Sequence, residues 1–251
     1  APKAGEMWRL PELAEALRWA ALHGADIISN SWGFPLESDV IHAAVKDVTS
    51  PGGIGRDGKG CVVVWAVDFG GRPIRSGAQE AYEEVIAVGA VDHNDVRWNF
   101  SDYGPELDLM APSSKSDGEG SVWTTDIVGV PGVSLFNDDP NLLDYTGQAG
   151  GTSMCAPMVA GVAALILSVD PNLNNEEVRR YLLSSVRDLG DPGRDDYYGW
   201  GCVDAGAALG MLQTERADVN LDQRVNLQAF ALVAPSLPQR GSLQDLALVA
   251  D

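Results

Sequence analysis

The sequence predicts an α/β fold, a mainly parallel sheet interleaved with helices, followed by a small helical appendage at the C-terminal end. Three observations lead there. A chain of 251 residues suffices for one large α/β domain plus a short extra piece. Residues 61–66 (Cys-Val-Val-Val-Trp-Ala) and 85–91 (Val-Ile-Ala-Val-Gly-Ala-Val) are unbroken apolar runs, fit for strands covered on both faces. Helical patterns recur around them, at residues 10–22, 41–48 and 159–167.

In chain order, residues 10–22 carry Leu13, Leu17, Trp19 and Ala20 at helical spacing and close on His23-Gly24. A glycine just past a helix and a cation in its last turn explain that ending, so His23 is read as a cap rather than a base. Asp26-Ile27-Ile28-Ser29-Asn30-Ser31-Trp32-Gly33 reads as a buried strand running into a turn. On the short helix at 41–48, His42 is read as a surface or packing residue. A glycine-rich loop at 50–60 leads to the strand at 61–66, and the strand at 85–91 ends in a turn that places His93 at the surface. Residues 113–150 are rich in Gly, Asp and Ser and read as a long surface excursion. Asp117, Asp126, Asp138, Asp139 and Asp144 lie there without ordered ligand spacing, which favours a solvated acidic loop over a calcium site. Asn174-Asn175-Glu176-Glu177 predicts a capped helix entry, with the helix running to about Ser185.

Lys and Arg number 17 against 36 Asp and Glu, a formal charge of −19. Nucleic acid requires a basic face and is not an expected partner, whereas a self-repelling acidic surface favours solubility. No uninterrupted apolar run reaches the roughly eighteen residues of a membrane span, so none is expected. The opening Ala-Pro-Lys-Ala lacks the basic-then-apolar pattern of a signal peptide. Cys61, Cys155 and Cys202 show no metal-ligand spacing and are read as small buried residues, leaving the redox compartment open.

The stretch richest in chemistry is Gly150-Gly151-Thr152-Ser153-Met154-Cys155-Ala156-Pro157-Met158-Val159-Ala160-Gly161. Two glycines allow a tight approach, two hydroxyls follow, and Pro157 falls in the first turn of an apolar helix, where its missing N–H costs little. A serine there faces free N–H groups and the positive end of the helix dipole, the setting a nucleophilic hydroxyl needs in acyl transfer. Helix capping is the commoner reason for such a serine, and the residues by themselves leave both roles open.

Gly151-Thr152-Ser153-Met154 with Ala156-Pro157 and Val159-Ala160-Gly161 resembles the nucleophile motif of the subtilisin-like serine proteases, the subtilases. Cys155 and Met158 depart from it, the family commonly having a small residue and often His there. Four further stretches resemble the same family in the same order: the helix and strand ending in Ser31-Trp32-Gly33; residues 85–92; residues 100–112; and Tyr197-Tyr198-Gly199-Trp200-Gly201-Cys202-Val203-Asp204-Ala205. The resemblance covers residues 1 to about 212. It implies a three-layer subtilisin-like fold and a secreted endopeptidase of protein or peptide substrates, with Ser153 as nucleophile. Ser31, Trp32 and Gly33 would line the substrate cleft by strand-like pairing, with Gly151 and Thr152 beside the nucleophile. Glu37 and Asp39, just past that edge, fit either a preference for basic side chains or the acidic surface expected at this net charge.

Two features depart from the family. Where its strand ends in Ala-Gly-Asn, whose asparagine donates to the oxyanion, this chain has Val67-Asp68-Phe69. Phe69 has no donor, and an Asp68 carboxylate only accepts; in subtilisin itself, loss of that one donor lowers kcat by about 10²–10³-fold. An alternative reading of Asp68-Phe69-Gly70 as the family's Asp-x-Gly conflicts with its place between the Ser31 edge and residue 85. The family's histidine (His-Gly-Thr) and aspartate (Asp-Thr/Ser-Gly) lie upstream of the helix that opens this chain, and none of His23, His42 and His93 is followed by Gly-Thr. Residues 1–8 resemble the strand after the family's histidine helix. The expectation is that the N-terminal part of the fold is missing and the chain alone turns over little, or that it is a pseudoprotease that binds peptide.

The tail differs. Residues 227–234 recur as 243–250 with only Ala229/Asp245 and Phe230/Leu246 changed. Before the first copy, Asp218, Asn220, Asp222 and Asn226 stand at calcium-loop positions. The pattern resembles a dockerin, which implies possible calcium and a cohesin-like anchoring partner. Gln223 replaces the turn glycine and Ala229 the last acid, and a decayed helical hairpin fits as well. The expected domains are 1–212, a partial catalytic domain, and 213–251, the dockerin-like repeat.

Overall fold

The computed structural model describes residues 9–34, 37–114, 122–127 and 144–217. The chain divides into two compact units, Ala1–Ala208 and Leu209–Asp251. In the first, α1 (Leu10–Leu22), β1 (Ile27–Asn30), α2 (Asp39–Thr49), β2 (Val62–Ala66), β3 (Ile86–Val91) and β4 (Leu109–Pro112) follow in order. A hairpin of β5 (Val122–Thr125) and β6 (Tyr145–Ala149) comes next, then α3 (Cys155–Val169) and α4 (Asn175–Ser184). The last helix, α5 (Ala205–Ala217), runs into the second unit, of which only its residues 209–217 are described.

β1 to β4 form one sheet in sequence order, every pair parallel, with Ser29 opposite Val64, Val64 opposite Ile86 and Val88 opposite Leu109. Successive side chains of β2 face opposite ways. Val63 and Trp65 join the core formed by Ala14, Leu17 and Ala21 of α1 and Ile41, Val45 and Val48 of α2. α3 packs across all four strands, and α4 packs on α3. Helices, sheet and helices make three layers, the subtilisin-like α/β arrangement that the sequence implies.

Local chemistry explains the ends of the elements. Ser38 Oγ caps α2 by accepting from Ile41 N–H at 3.3 Å. At α4, Asn174 Oδ1 accepts from Glu177 N–H at 2.9 Å while Glu177 accepts from Asn174 N–H at 2.8 Å, a reciprocal capping box. His23 ends α1, its Nδ1 lying 2.8 Å from Trp19 O and its ring stacked on the indole. His42 stacks on Tyr82 and meets Glu84 at 3.0 Å, and His93 contacts Asn94.

Two expectations change. Part of the stretch read as an open excursion is a hairpin: Thr124 pairs with Thr146 and Thr125 with Tyr145, closed by Asp126 N–H donating to Asp144 O at 2.8 Å. The β-branched threonines and the aromatic rings of Trp123 and Tyr145 favour extended backbone on both sides. Secondly, Thr152–Val169 is an uncharged stretch of 18 residues with mean hydropathy 1.9, long and apolar enough to cross a membrane by length and composition. Small and hydroxyl residues interrupt its apolar run in the sequence. Here Cys155, Ala156, Val159, Val162, Ala163, Ile166 and Leu167 are buried, as a core helix requires. The proposed calcium ligands Asp218, Asn220, Asp222 and Asn226 lie outside the described residues, as do Asp117, Asp138 and Asp139.

Candidate active site

Parallel strands deliver their following loops to one end of a sheet, where open α/β folds bind ligands. β1 ends at Asn30 and runs into Ser31-Trp32-Gly33-Phe34; its neighbour β2 ends at Ala66 and runs into Val67-Asp68-Phe69. Between these two carboxyl ends and the start of α3 lies a cleft of about 300 Å³, lined by both loops together with Arg72, Arg75, Glu80, Thr152 and Ser153. Every cleft residue singled out in the sequence except Gly151 therefore lines one cavity. Gly151 stands immediately before it.

Gly151 adopts φ +80°, ψ 172°, a conformation that favours glycine, and its N–H donates to Ser114 O at 2.8 Å. The chain then makes a 3₁₀ turn, Thr152–Met154, before α3 proper begins at Cys155. Ser153 sits inside this turn, one step further from the helix than a cap. Its carbonyl accepts from Ser31 Oγ at 3.0 Å, tying this turn to the opposite wall. Among the described residues its own Oγ has no hydrogen-bond partner. Thr152 is buried, and Pro157 lies in the first turn of α3, where its missing N–H costs little.

The β1 wall is rigidly held. Trp65 Nε1 donates to Trp32 O at 2.6 Å and the two indoles meet edge to face at 4.6 Å. Phe34 N–H donates to the side-chain oxygen of Gln79 at 2.7 Å. On the β2 side, the Phe69 ring is 72% exposed, and its N–H donates to Asp68 Oδ1 at 2.9 Å. The Asp68 carboxylate also meets Arg72 at 3.1 Å and Arg75 at 3.7 Å. Buried Asp102 accepts from Gly70 N–H at 2.9 Å and Arg72 N–H at 3.0 Å, fixing the loop below. Neither Asp68 nor Phe69 offers a side-chain donor to the cleft.

Arg72, Arg75 and Glu80 carry no sequence signal and were not anticipated there. Arg-Pro-Ile-Arg and Gln-Glu-Ala look like ordinary solvated loop; the fold buries Gln79 and Glu80 and leaves the two arginines half exposed at the cleft. Burial pushes the Glu80 carboxyl above the ordinary glutamate range; Asp68 and Asp102 push the same way, and its own N–H and Arg75 oppose them. Conversely, Glu37 and Asp39 do not line the cleft. None of the three histidines does either. Among the described residues no cluster of three or more His, Cys, Asp or Glu could hold a metal.

The profile of the subtilase family, peptidase S8, matches residues 6–201. The chain belongs to the subtilase family. Its relatives include a calcium-dependent protease of Trichormus variabilis, 36% identical over 219 residues, a match covering 76% of this chain and 33% of the relative. Subtilisin DY of Bacillus licheniformis is 37% identical over 202 residues, covering 78% of this chain and 61% of its own. Among solved structures, a Pseudoalteromonas arctica protease superposes with a TM-score of 0.63 at 27% identity, covering 81% of this chain and 59% of that one. A lanthipeptide protease, at 22% identity and a TM-score of 0.65 over 81% of this chain and 66% of the other, shares the fold. This subtilase chain thus spans about a third to three-fifths of the length of these curated relatives.

Proposed function

We propose that this subtilase chain is the nucleophile-bearing part of a secreted serine endopeptidase. Ser153 Oγ would attack the scissile carbonyl carbon of a peptide lying along Ser31-Trp32-Gly33. Its proton would pass to a histidine and then to the departing amine, and water would hydrolyse the acyl-enzyme. The single observation that carries this reading is the position of Ser153, at the mouth of α3 inside a cleft at the carboxyl ends of β1 and β2. The N–H groups at the start of α3 and the helix dipole favour the negative charge that develops there. All three histidines of the chain lie away from this cleft, so the base and its orienting aspartate would come from outside these 251 residues. Secretion follows the relatives, one of which is named an extracellular serine protease. The division into a catalytic part, 1–212, and a dockerin-like tail with a weak calcium loop and a cohesin-like partner extends the same reading. A relative named as calcium-dependent agrees with an ion somewhere in the whole protein.

A second reading, a pseudoprotease that binds peptide without turnover, is favoured by Phe69 alone. Phe69 is exposed in the cleft, at the position that the family resemblance would give to the amide donor, and Asp68 beside it offers only an acceptor.

A fluorophosphonate probe with peptide mass spectrometry separates these readings. The chain alone should remain unlabelled, and the chain joined to an upstream segment bearing His-Gly-Thr should be labelled at Ser153. Labelling of the isolated chain at Ser153 would overturn the externally supplied base. No labelling of the joined form would favour the binding module.

A further inference from the structure

Glu80 sits on the 3₁₀ turn Gln79–Ala81, is only 6% exposed, and lines the same cleft as Ser153. The turn is not free to swing. Gln79 is fully buried and accepts from Phe34 N–H at 2.7 Å, which pins the turn to the β1 wall; Ala81 N–H donates to Ala78 O at 3.0 Å.

The other charges of the cleft already answer one another. Arg72 and Arg75 both face Asp68, at 3.1 and 3.7 Å, and Arg72 also faces Asp102 at 3.7 Å. Among the described residues Glu80 has no ion-pair partner. The lining itself carries two guanidinium groups and two carboxylates, but both guanidinium groups pair with Asp68, and Arg72 also with the buried Asp102 behind the lining, so Glu80 is the cleft carboxylate left without an ion pair. A buried carboxylate without a partner is costly, and removing it from water is the main cause of its raised pKa.

We propose that Glu80 makes the cleft selective for a peptide bearing a lysine or arginine side chain, whose cation pairs with the Glu80 carboxylate beside Ser153. The inference rests on the reading of this cleft as the peptide site. A long basic side chain suits the lining, because its apolar stem can lie against residues such as Trp32, Phe34 and Val67 while its head meets Glu80. An acidic side chain would meet Glu80 as a like charge and find both arginines already engaged. A neutral one would leave the buried carboxylate unanswered.

The test is calorimetric titration of the purified chain with three acetylated tetrapeptides, identical except for a C-terminal lysine, norleucine or glutamate. A chain of charge −19 attracts any cationic peptide, so the titrations are run at about 0.5 M salt, where the Debye length is only a few ångström. The lysine peptide should bind at least ~10-fold more tightly than the norleucine peptide, the effect of a desolvated charge pair. Glu80→Gln should remove that difference and Glu80→Lys should transfer the preference to the glutamate peptide. Equal affinities for lysine and norleucine in the unmodified chain would overturn the proposal without any variant having to fold, as would a lysine preference that survives Glu80→Gln. Binding of all three peptides alike would leave the peptide cleft standing and remove only the role of Glu80. Binding of none would overturn both.

Discussion

Glu80 and Ser153 lie in one cleft, yet only one of them is marked in the sequence. Ser153 stands between paired glycines and an apolar helix, and several identities in a row leave little freedom in its placement. Glu80 is a charged residue in a short turn, a type and place that ordinarily mean solvent, yet it is buried in a turn that the Gln79–Phe34 contact ties to the β1 wall. Phe69 is intermediate: its lack of a donor is plain from its identity, but its exposure at the cleft is a fact of the fold. The buried glutamate has a measurable consequence. Its carboxyl is raised in the folded chain by desolvation first, so the folded state holds the proton more tightly than the unfolded one. The stability this gives is full below the ordinary glutamate pKa and is lost as pH rises through the raised value. Glu80→Gln should therefore raise the urea midpoint at about pH 7 and have little effect at about pH 4. A midpoint unchanged at both pH values would show that the carboxylate is well solvated.

The parallel strands β2 and β3 are legible because apolar residues follow one another without polar interruption, the pattern of strands covered on both faces. β4 lies within the segment 100–112 that resembles the family. Its four residues, Leu109–Pro112, are too few to show a period of their own and are fixed as a strand by pairing with β3. The β5–β6 hairpin was hidden by its setting among Gly, Asp and Ser. Helix α4 shows the opposite case, its start written in Asn174 and Glu177 and realised as two reciprocal bonds. Asn174→Ala should cost ~1 kcal/mol in chemical denaturation, and a loss below a few tenths would mean that water replaces the cap. Gly199 in the closing motif illustrates what such motifs encode. Its φ is +61° and an added Cβ would lie 2.3 Å from Asp108 O, so the glycine holds the place where that segment meets the start of β4.

The layer order was implied by the resemblance to the subtilases, and the cleft follows from parallel pairing, which sends the loops after β1 and β2 to the same end of the sheet. What the sequence could not supply was the neutralisation of charges across that cleft, because Arg72, Arg75, Asp68, Asp102 and Glu80 acquire their neighbours only once the layers close. The three thiols are distributed through the same layers. Cys61 belongs to the core beneath α1 and α2, Cys155 opens α3, and Cys202 lies in the core beside β3 and β4. Each is at most 1% exposed, and burial pushes their pKa values to about 11, 12 and 11. In the closed chain, neither access nor thiolate is available to an alkylating reagent. The chain thus carries its own clocks: iodoacetamide should modify each cysteine only as its layer opens, at a rate set by the opening equilibrium and steeply increased by mild denaturant. Quantitative modification within seconds under native conditions would contradict the burial. A common rate at all three positions would show that α3 and the two halves of the sheet breathe as one unit.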